Sequence, residues 1–312
     1  MTRTQEHQTV HEIDIAAPVD VVYGIIADPT RWPRYFTPTV HVERTMLDTE
    51  TERLRIWATG NTVVRAWTSI RAIDPERHQV SFRQEVSAPP VKSMSGCWTV
   101  RPVDEGVQLV LTHDFEAVDD DPAHVEWITK GTNENSTVEL ANIKRLAESW
   151  GRLRELEFSF EDSLVIHAPA ADIYDFLQDA ARWPERLPHV AGLDLRETDA
   201  GVQQMSMWTR AKDDSTHLTE SVRVCFPHDR IVYKQLVTPV LINAHTGAWL
   251  IEPAEDGVVV RAQHTILLNE EAVGTIPAAG LTVESTRDFV RASIGGNSRA
   301  TLGFAKAYAE AL

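Results

Sequence analysis

The sequence predicts an α+β fold in which one domain is written twice in tandem. Each copy is expected to be a seven-stranded antiparallel sheet curled around a long C-terminal helix, with two short helices and an internal cavity. Three observations lead there. The word DPTRWP at 28–33 returns as DAARWP at 179–184. The register between the two words persists far downstream. And each half runs through the same order of patterns: strand, two short helices, six strands, long helix.

Shifted by 151 residues, Pro18 meets Pro169, Tyr23 meets Tyr174 and Trp57 meets Trp208. Gly96, Trp98, Gly106 and His113 meet Gly247, Trp249, Gly257 and His264. TSIRAIDP (68–75) matches ESVRVCFP (220–227) at 152, and NSTVELANIKRLAE (135–148) matches NSRATLGFAKAYAE (297–310) at 162. The second copy therefore carries about eleven extra residues before its last helix, around VGTIPAAG at 273–280. A period this long is a domain, large enough to bury its own core, and not a solenoid unit. The expected division is 1–152 and 153–312.

The first copy opens with the alternating run VHEIDIA (10–16), a strand. Pro18 suits a helix start, and VDVVYGIIAD has helical spacing. Asp28 before Pro29 ends that helix, because the residue before proline avoids the α region. A short helix over 30–36 carries Trp32. Strand-like runs follow at 40–47, 51–58, 62–73, 78–87, 92–102 and 106–117, separated by turn signals such as Gly60-Asn61 and Pro89-Pro90. A helix over 122–150, with apolar Val138, Ile143, Leu146 and Trp150, closes the copy. The second copy repeats this with a strand at 157–167, helices within 169–188 and a long helix at 282–311. One helix cannot fill so large a curved sheet, so a cavity between them is expected.

The 312 residues carry a formal net charge of −16, which argues against nucleic acid and against an anionic membrane surface. Cys97 and Cys225 sit in different copies without Cys-x-x-Cys spacing, so neither a disulfide framework nor a thiolate metal site is expected. No run approaches the length of a membrane span and no signal core is evident, making the cytoplasm the expected location. No phosphate loop, dinucleotide fingerprint or nucleophile elbow occurs.

The informative stretch is NTVVRAWTSIRAI (61–73). Period two places Arg65, Trp67, Ser69 and Arg71 on one face and Val64, Ala66, Thr68 and Ile70 on the other. Periodicity alone leaves open which face looks inward. Met94, Gly96 and Trp98 share a face of another strand. His113 shares one with Leu109, Leu111 and Phe115, and His264 repeats this with Val260 and Ile266.

The repeated RWP corner, Trp67-x-Ser69-x-Arg71, Gly96-x-Trp98 and the Asn-Ser start of the terminal match resemble the aromatase/cyclases of bacterial type II polyketide synthases. These belong to the START/Bet v 1-like helix-grip superfamily (SRPBCC). Two tandem copies resemble the di-domain subclass. The resemblance implies a pocket that folds a linear poly-β-ketone and directs first-ring aldol closure, between carbons 7 and 12, followed by dehydration and aromatisation. It implies that the Trp67 face lines the pocket, with Arg71 and Ser69 catalytic and Trp32, Phe36, Trp67, Met94 and Trp98 binding substrate. The second copy keeps Trp183, Ser221, Arg223 and Trp249 as a pocket of its own. It has Thr219, Leu187 and His245 where the first has Trp67, Phe36 and Met94. Those losses point to the first copy as the main chemical site.

Such chemistry needs no metal and no cofactor. A guanidinium can stabilise an enolate oxygen but is a poor base. No carboxylate on the Arg71 strand face offers itself as the base. The implied partners are an acyl carrier protein, which delivers the substrate, and other synthase subunits. A hydrophobic-ligand or lipid carrier of the same fold is the alternative; it needs the aromatic walls but not the Ser-x-Arg pair.

Overall fold

The computed structural model describes residues 5–60, 63–199, 201–210, 215–273 and 282–312. The turn expected at Gly60-Asn61 and most of the extra stretch at 273–280 fall outside these residues. The chain divides into two units, Met1–Gly151 and Arg152–Leu312, one residue earlier than the repeat suggests.

The first unit begins with β1 (His7–Ile15) and α1 (Val19–Ala27). Asp28 breaks away at φ −98°, ψ 91°, and its side chain accepts from the Thr30 N–H at 3.1 Å. A 3-10 turn at Pro29–Arg31 leads into α2 (Trp32–Tyr35). Then come β2 (Thr39–Met46), β3 (Thr51–Gly60), β4 (Val63–Asp74), β5 (Gln79–Gln84), β6 (Val91–Val103) and β7 (Gly106–Ala117). The seven strands form one sheet in the order β1-β7-β6-β5-β4-β3-β2, every pair antiparallel. Helix α3 (Pro122–Glu148) packs against β1 and β7, and α4 (Trp150–Leu156) runs across the division between the units. Among the described residues, no helix is long and apolar enough to cross a membrane.

The second unit repeats the plan. It holds β8 (Glu157–Ile166), α5 (Ala170–Gln178), α6 (Trp183–Arg186), β9 (Val190–Asp199), β10 (Val202–Arg210), β11 (Thr216–Phe226), β12 (Arg230–Val237), β13 (Ile242–Ala254), β14 (Gly257–Leu268) and α7 (Val283–Ala309). Its sheet order is β8-β14-β13-β12-β11-β10-β9.

The inner face of the first sheet is the one bearing Leu54, Val80, Leu109, Leu111 and Phe115, all buried. Ser69 and Arg71 lie on this face and are buried, while Arg65 and Trp67 near the start of the strand are exposed. The inner face of α3 carries Ile128, Thr132, Ser136, Leu140, Ile143 and Leu146. This corrects the expectation for Val138, which is 70% exposed on the opposite side of the helix.

Antiparallel pairing aligns one row of inner side chains across five strands. In the first unit the row runs Glu52, Arg71, Phe82, Gly96, His113. In the second it runs Gln203, Arg223, Tyr233, Gly247, His264. The glycine is required by its neighbour. A Cβ on Gly96 would stand 2.5 Å from Phe82 Cζ and 2.2 Å from the Thr112 carbonyl oxygen. One on Gly247 would stand 2.4 Å from both Tyr233 Cζ and its hydroxyl. Gly96→Ala and Gly247→Ala are each expected to destabilise by about 1–3 kcal/mol through overpacking. Urea denaturation measures this, and ordinary outward-facing glycines such as Gly24, with open space around them, should tolerate the same change.

Candidate active site

The repeated Arg-Trp-Pro word has a physical reason. Trp32 sits at the start of α2, and its indole N–H reaches back to the Ile25 carbonyl at 3.0 Å. Trp183 does the same toward Phe176 at 3.4 Å. The carbonyls at the end of α1 would otherwise be orphaned by the break at Asp28. Arg71 crosses from β4 to meet them: its Nη2 donates to Ile26 and Ala27 oxygens at 3.0 and 3.2 Å. Its guanidinium lies 5.1 Å from the Trp32 ring centroid. In the second unit Arg223 donates to the Leu177 carbonyl and lies 4.9 Å from the Trp183 ring. A cation at a helix C-terminus also matches the helix dipole.

The two clamps differ in one partner. Arg71 Nε is 3.3 Å from Glu52 Oε1, with the arginine 3% and the glutamate 0% exposed. Arg44 engages the other carboxylate oxygen. The second unit has Gln203 at this position, whose amide donates to the Gln178 carbonyl at 3.2 Å. Burial lowers the Arg71 pKa to about 10, partly countered by Glu52, so the group stays cationic at neutral pH. Arg71 Nη1 and Arg223 Nη1 are buried without a hydrogen-bond partner.

The other expected residues fall into place around this clamp. Phe36 meets Trp32 edge-on at 6.2 Å. Trp32 packs on Val42, Leu54 and Ile56, and Ile56 pairs with Trp67 across β3 and β4. Trp67 itself is 38% exposed. Ser69 gives its proton to the Arg83 carbonyl at 3.1 Å. Met94 packs with Phe115 and Ile128, and Trp98 is buried in the core between its strand partners Val80 and Leu111. Arg71, Trp32 and Phe36 thus form one connected wall, whereas Met94 and Trp98 both belong to strand β6 of the sheet.

The residue that sequence reasoning missed is Glu139. It follows Ser136 by three positions and precedes Ile143 by four, so it shares the inner face of α3. Yet it retains exposed surface. Its repeat counterpart, Thr301, lines a cavity in the second unit. Crowding by protein raises the Glu139 pKa to about 7. The helical period of the C-terminal segment was the available signal. Nearby, His113 is pushed down to about 4 by desolvation, with Nδ1 unpartnered and Phe82 edge-on at 5.5 Å.

The second unit holds a cavity of about 160 Å³. Trp183, Ser221, Arg223 and Trp249 all line it, together with Tyr233, His245, His264 and Ser298. Among the described residues no group of His, Cys, Asp or Glu is arranged to hold a metal ion.

Two outcomes follow from this geometry. Arg71→Ala leaves the buried Glu52 carboxylate with Arg44 alone and is expected to cost about 3–5 kcal/mol. Arg223→Ala leaves a carbonyl but no carboxylate and should cost only about 1–3 kcal/mol; urea denaturation compares them. The histidines set a pH dependence. The unfolded chain protonates His113 and His264 near 6.5, while the folded chain resists until about 4. Their contribution is therefore full above pH 6.5 and is lost as pH falls toward 4. Stability measured from pH 7 to 4 should fall less steeply in His264→Gln.

The family profile described as "Polyketide cyclase / dehydrase and lipid transport" matches residues 6–148 and again 157–310. The chain is 41% identical over 319 residues to the actinorhodin polyketide synthase bifunctional cyclase/dehydratase of Streptomyces coelicolor, covering 99% of each. It is 41% identical over 298 residues to the granaticin polyketide synthase bifunctional cyclase/dehydratase of Streptomyces violaceoruber, covering 95% of this chain and 92% of that one. Among solved structures it is similar to the di-domain ARO/CYC BexL from the BE-7585A biosynthetic pathway, with TM-score 0.90 and 48% identity over 97% of this chain and 99% of that one. It is also similar to the di-domain ARO/CYC StfQ from the steffimycin biosynthetic pathway, with TM-score 0.83 and 31% identity over 98% of each. With a profile match in each unit and relatives that align along nearly its whole length, the chain belongs to the polyketide cyclase/dehydrase and lipid transport family and carries that family's domain twice.

Proposed function

We propose that this chain is a two-domain polyketide aromatase/cyclase whose first domain folds a linear poly-β-ketone and closes its first ring. Relatives alignable over nearly the whole chain bear the name cyclase/dehydratase. The feature that carries the reading is the position of Glu139, a carboxyl on the inner face of the gripped helix, where crowding by protein pushes its pKa up. It supplies the base that the Arg71 strand lacks.

Aldol closure needs a proton removed from a methylene flanked by carbonyls. Glu139 in its ionised form takes that proton, the C–H bond breaks and an enolate forms. The enolate carbon attacks a second carbonyl, a C–C bond forms, and the new alkoxide takes a proton back from the Glu139 carboxyl. A base with a pKa near the working pH is the effective one. Arg71 is already committed to α1 through Nη2, so its contribution is twofold: it fixes the Trp32 and Phe36 wall, and its positive charge and unpartnered Nη1 favour the enolate oxygen. Ser69 orients a ketone oxygen or a water with its free lone pairs. Holding one conformer of a floppy chain against flat aromatic walls supplies the remainder.

Closure between carbons 7 and 12, delivery by an acyl carrier protein and cooperation with other synthase subunits complete the reading. Carrier proteins of this kind are acidic, and so is this chain at −16, so docking calls for a local basic patch.

A minimal polyketide synthase is run without a cyclase, with this protein, and with Glu139→Gln or Glu139→Thr, the latter being the second domain's own residue. Products are read by liquid chromatography–mass spectrometry. Wild type is expected to convert shunt products to one first-ring product, and both variants to lose roughly 10²–10⁴-fold in rate. In wild type the rate rises with pH through about 7 as Glu139 ionises, and this limb disappears in the variants. An unchanged shunt profile with wild type overturns the reading in favour of a ligand carrier.

A further inference from the structure

The second domain keeps the architecture of the first but exchanges its inner polar groups. Tyr233 replaces Phe82, His245 replaces Met94 and Thr301 replaces Glu139, while His264 and Ser298 stand where His113 and Ser136 do. These residues line the cavity of about 160 Å³ and touch one another.

Taking the Ser298 hydroxyl as donor to a backbone carbonyl sets the direction of the other hydrogen bonds. Ser298 Oγ donates its single proton to the Ile294 carbonyl at 3.1 Å. It therefore accepts from His264 Nε2–H at 2.8 Å. Desolvation pushes His264 down to about 4, so the ring is neutral and its Nδ1 is a lone pair. That lone pair receives the Tyr233 hydroxyl at 2.9 Å and His245 Nε2–H at 3.1 Å. His245 is also held neutral by burial. Its Nδ1 is then a bare acceptor, without a partner, on a side chain 4% exposed that lines the cavity. A buried acceptor left unpaired costs stability, so its retention asks for a function.

Size narrows the ligand. A cavity of about 150 Å³ holds one benzene. The second-domain cavity thus has room for a single six-membered ring, with its flat walls supplied by Trp183 and Trp249. Polar groups at its wall suit a ring that still carries a hydroxyl and a carbonyl.

We infer that the second domain is a separate dehydration site for a hydroxylated, carbonyl-bearing six-membered ring, in which His245 Nδ1 accepts the carbon-bound proton and Tyr233 donates to the departing hydroxyl. This rests on the polyketide reading above. The C–H bond next to the carbonyl breaks and its electron pair forms the ring C=C bond. The C–O bond breaks, and the Tyr233 hydroxyl, turned from His264 Nδ1 toward the ring, gives its proton to the leaving hydroxyl, which departs as water. His245 Nε2 passes its proton to His264 Nδ1, which returns it to the Tyr233 oxygen. His245 ends as the other tautomer and resets by exchanging protons with water. Made in concert, these transfers leave no net charge on the protein, as suits a site where burial penalises both imidazolium and phenolate.

The test uses the full chain with Tyr233→Phe and His245→Met. Each installs the residue that the first domain carries at the same position, so the wall has a precedent for folding; circular dichroism checks it. In the reconstituted synthase, both variants are expected to form the first ring as fast as wild type but to dehydrate it roughly 10²-fold more slowly, accumulating a ring product heavier by one water. Dehydrated product at the wild-type rate in both overturns the proposal, as does simultaneous loss of ring closure. If wild type forms no ring product at all, it is the underlying polyketide reading that fails. Calorimetry of wild type with resorcinol provides an independent arm: heat of binding that disappears when Trp249 is replaced by Ala supports a ring-sized site, and no heat at millimolar resorcinol overturns it.

Discussion

The interior of each domain depends on one buried cation. Arg71 and Arg223 sit on a strand and hold the C-terminal carbonyls of a short helix on another layer. Without that contact the break after α1 or α5 would leave carbonyls unpaired in the core, at a cost comparable to a lost hydrogen bond each. The same guanidinium faces the tryptophan of the Arg-Trp-Pro word, so the corner, the aromatic wall and the sheet are fixed together. The residue most readily assigned to chemistry is thus first a structural tie, and only one end of its guanidinium is left over.

The fold was legible because its punctuation is covalent and local. Asp28-Pro29, Gly106 and the Gly-x-Trp strands carry constraints that no partner is needed to interpret. Finding them twice in register gave the domain plan, strand order and the position of the long helix. The site was only partly legible. Trp67, Ser69 and Arg71 share a face by periodicity, but periodicity cannot tell which face is inward or how far along it the interior extends. Trp67 is 38% exposed, Arg71 only 3%. Arg71's carbonyl partners and Glu52 lie far away in sequence and meet it only through tertiary packing. Glu139 was within reach of a helical-wheel argument; Val138, its more apolar neighbour, drew attention to the wrong side.

Within one chain the duplication works as a controlled comparison. Sheet order, the corner tryptophan, the clamp arginine, the row histidine and the helix serine are held constant. What varies is the pairing of charge and polarity around them. The first interior contains carboxylates at Glu52 and Glu139; the second has Gln203 and Thr301 there, and adds a phenol and a second imidazole. Matching sheet orders therefore hold interiors of different charge: the first pairs its buried arginine with a carboxylate, and the second leaves Arg223 without one.

The glycine in each inner row has a meaning beyond packing. Because the tip of the ring at position 82 or 233 rests over a residue with no side chain, the para position has room that a Cβ would have taken. Phenylalanine and tyrosine occupy nearly the same seat, and the difference between them is a single oxygen directed at the histidine on the neighbouring strand. A duplicated gene with such a seat can acquire or discard an acid group by a change at one codon, leaving the surrounding wall as it was. Functional divergence of the two halves would then need no remodelling of the fold.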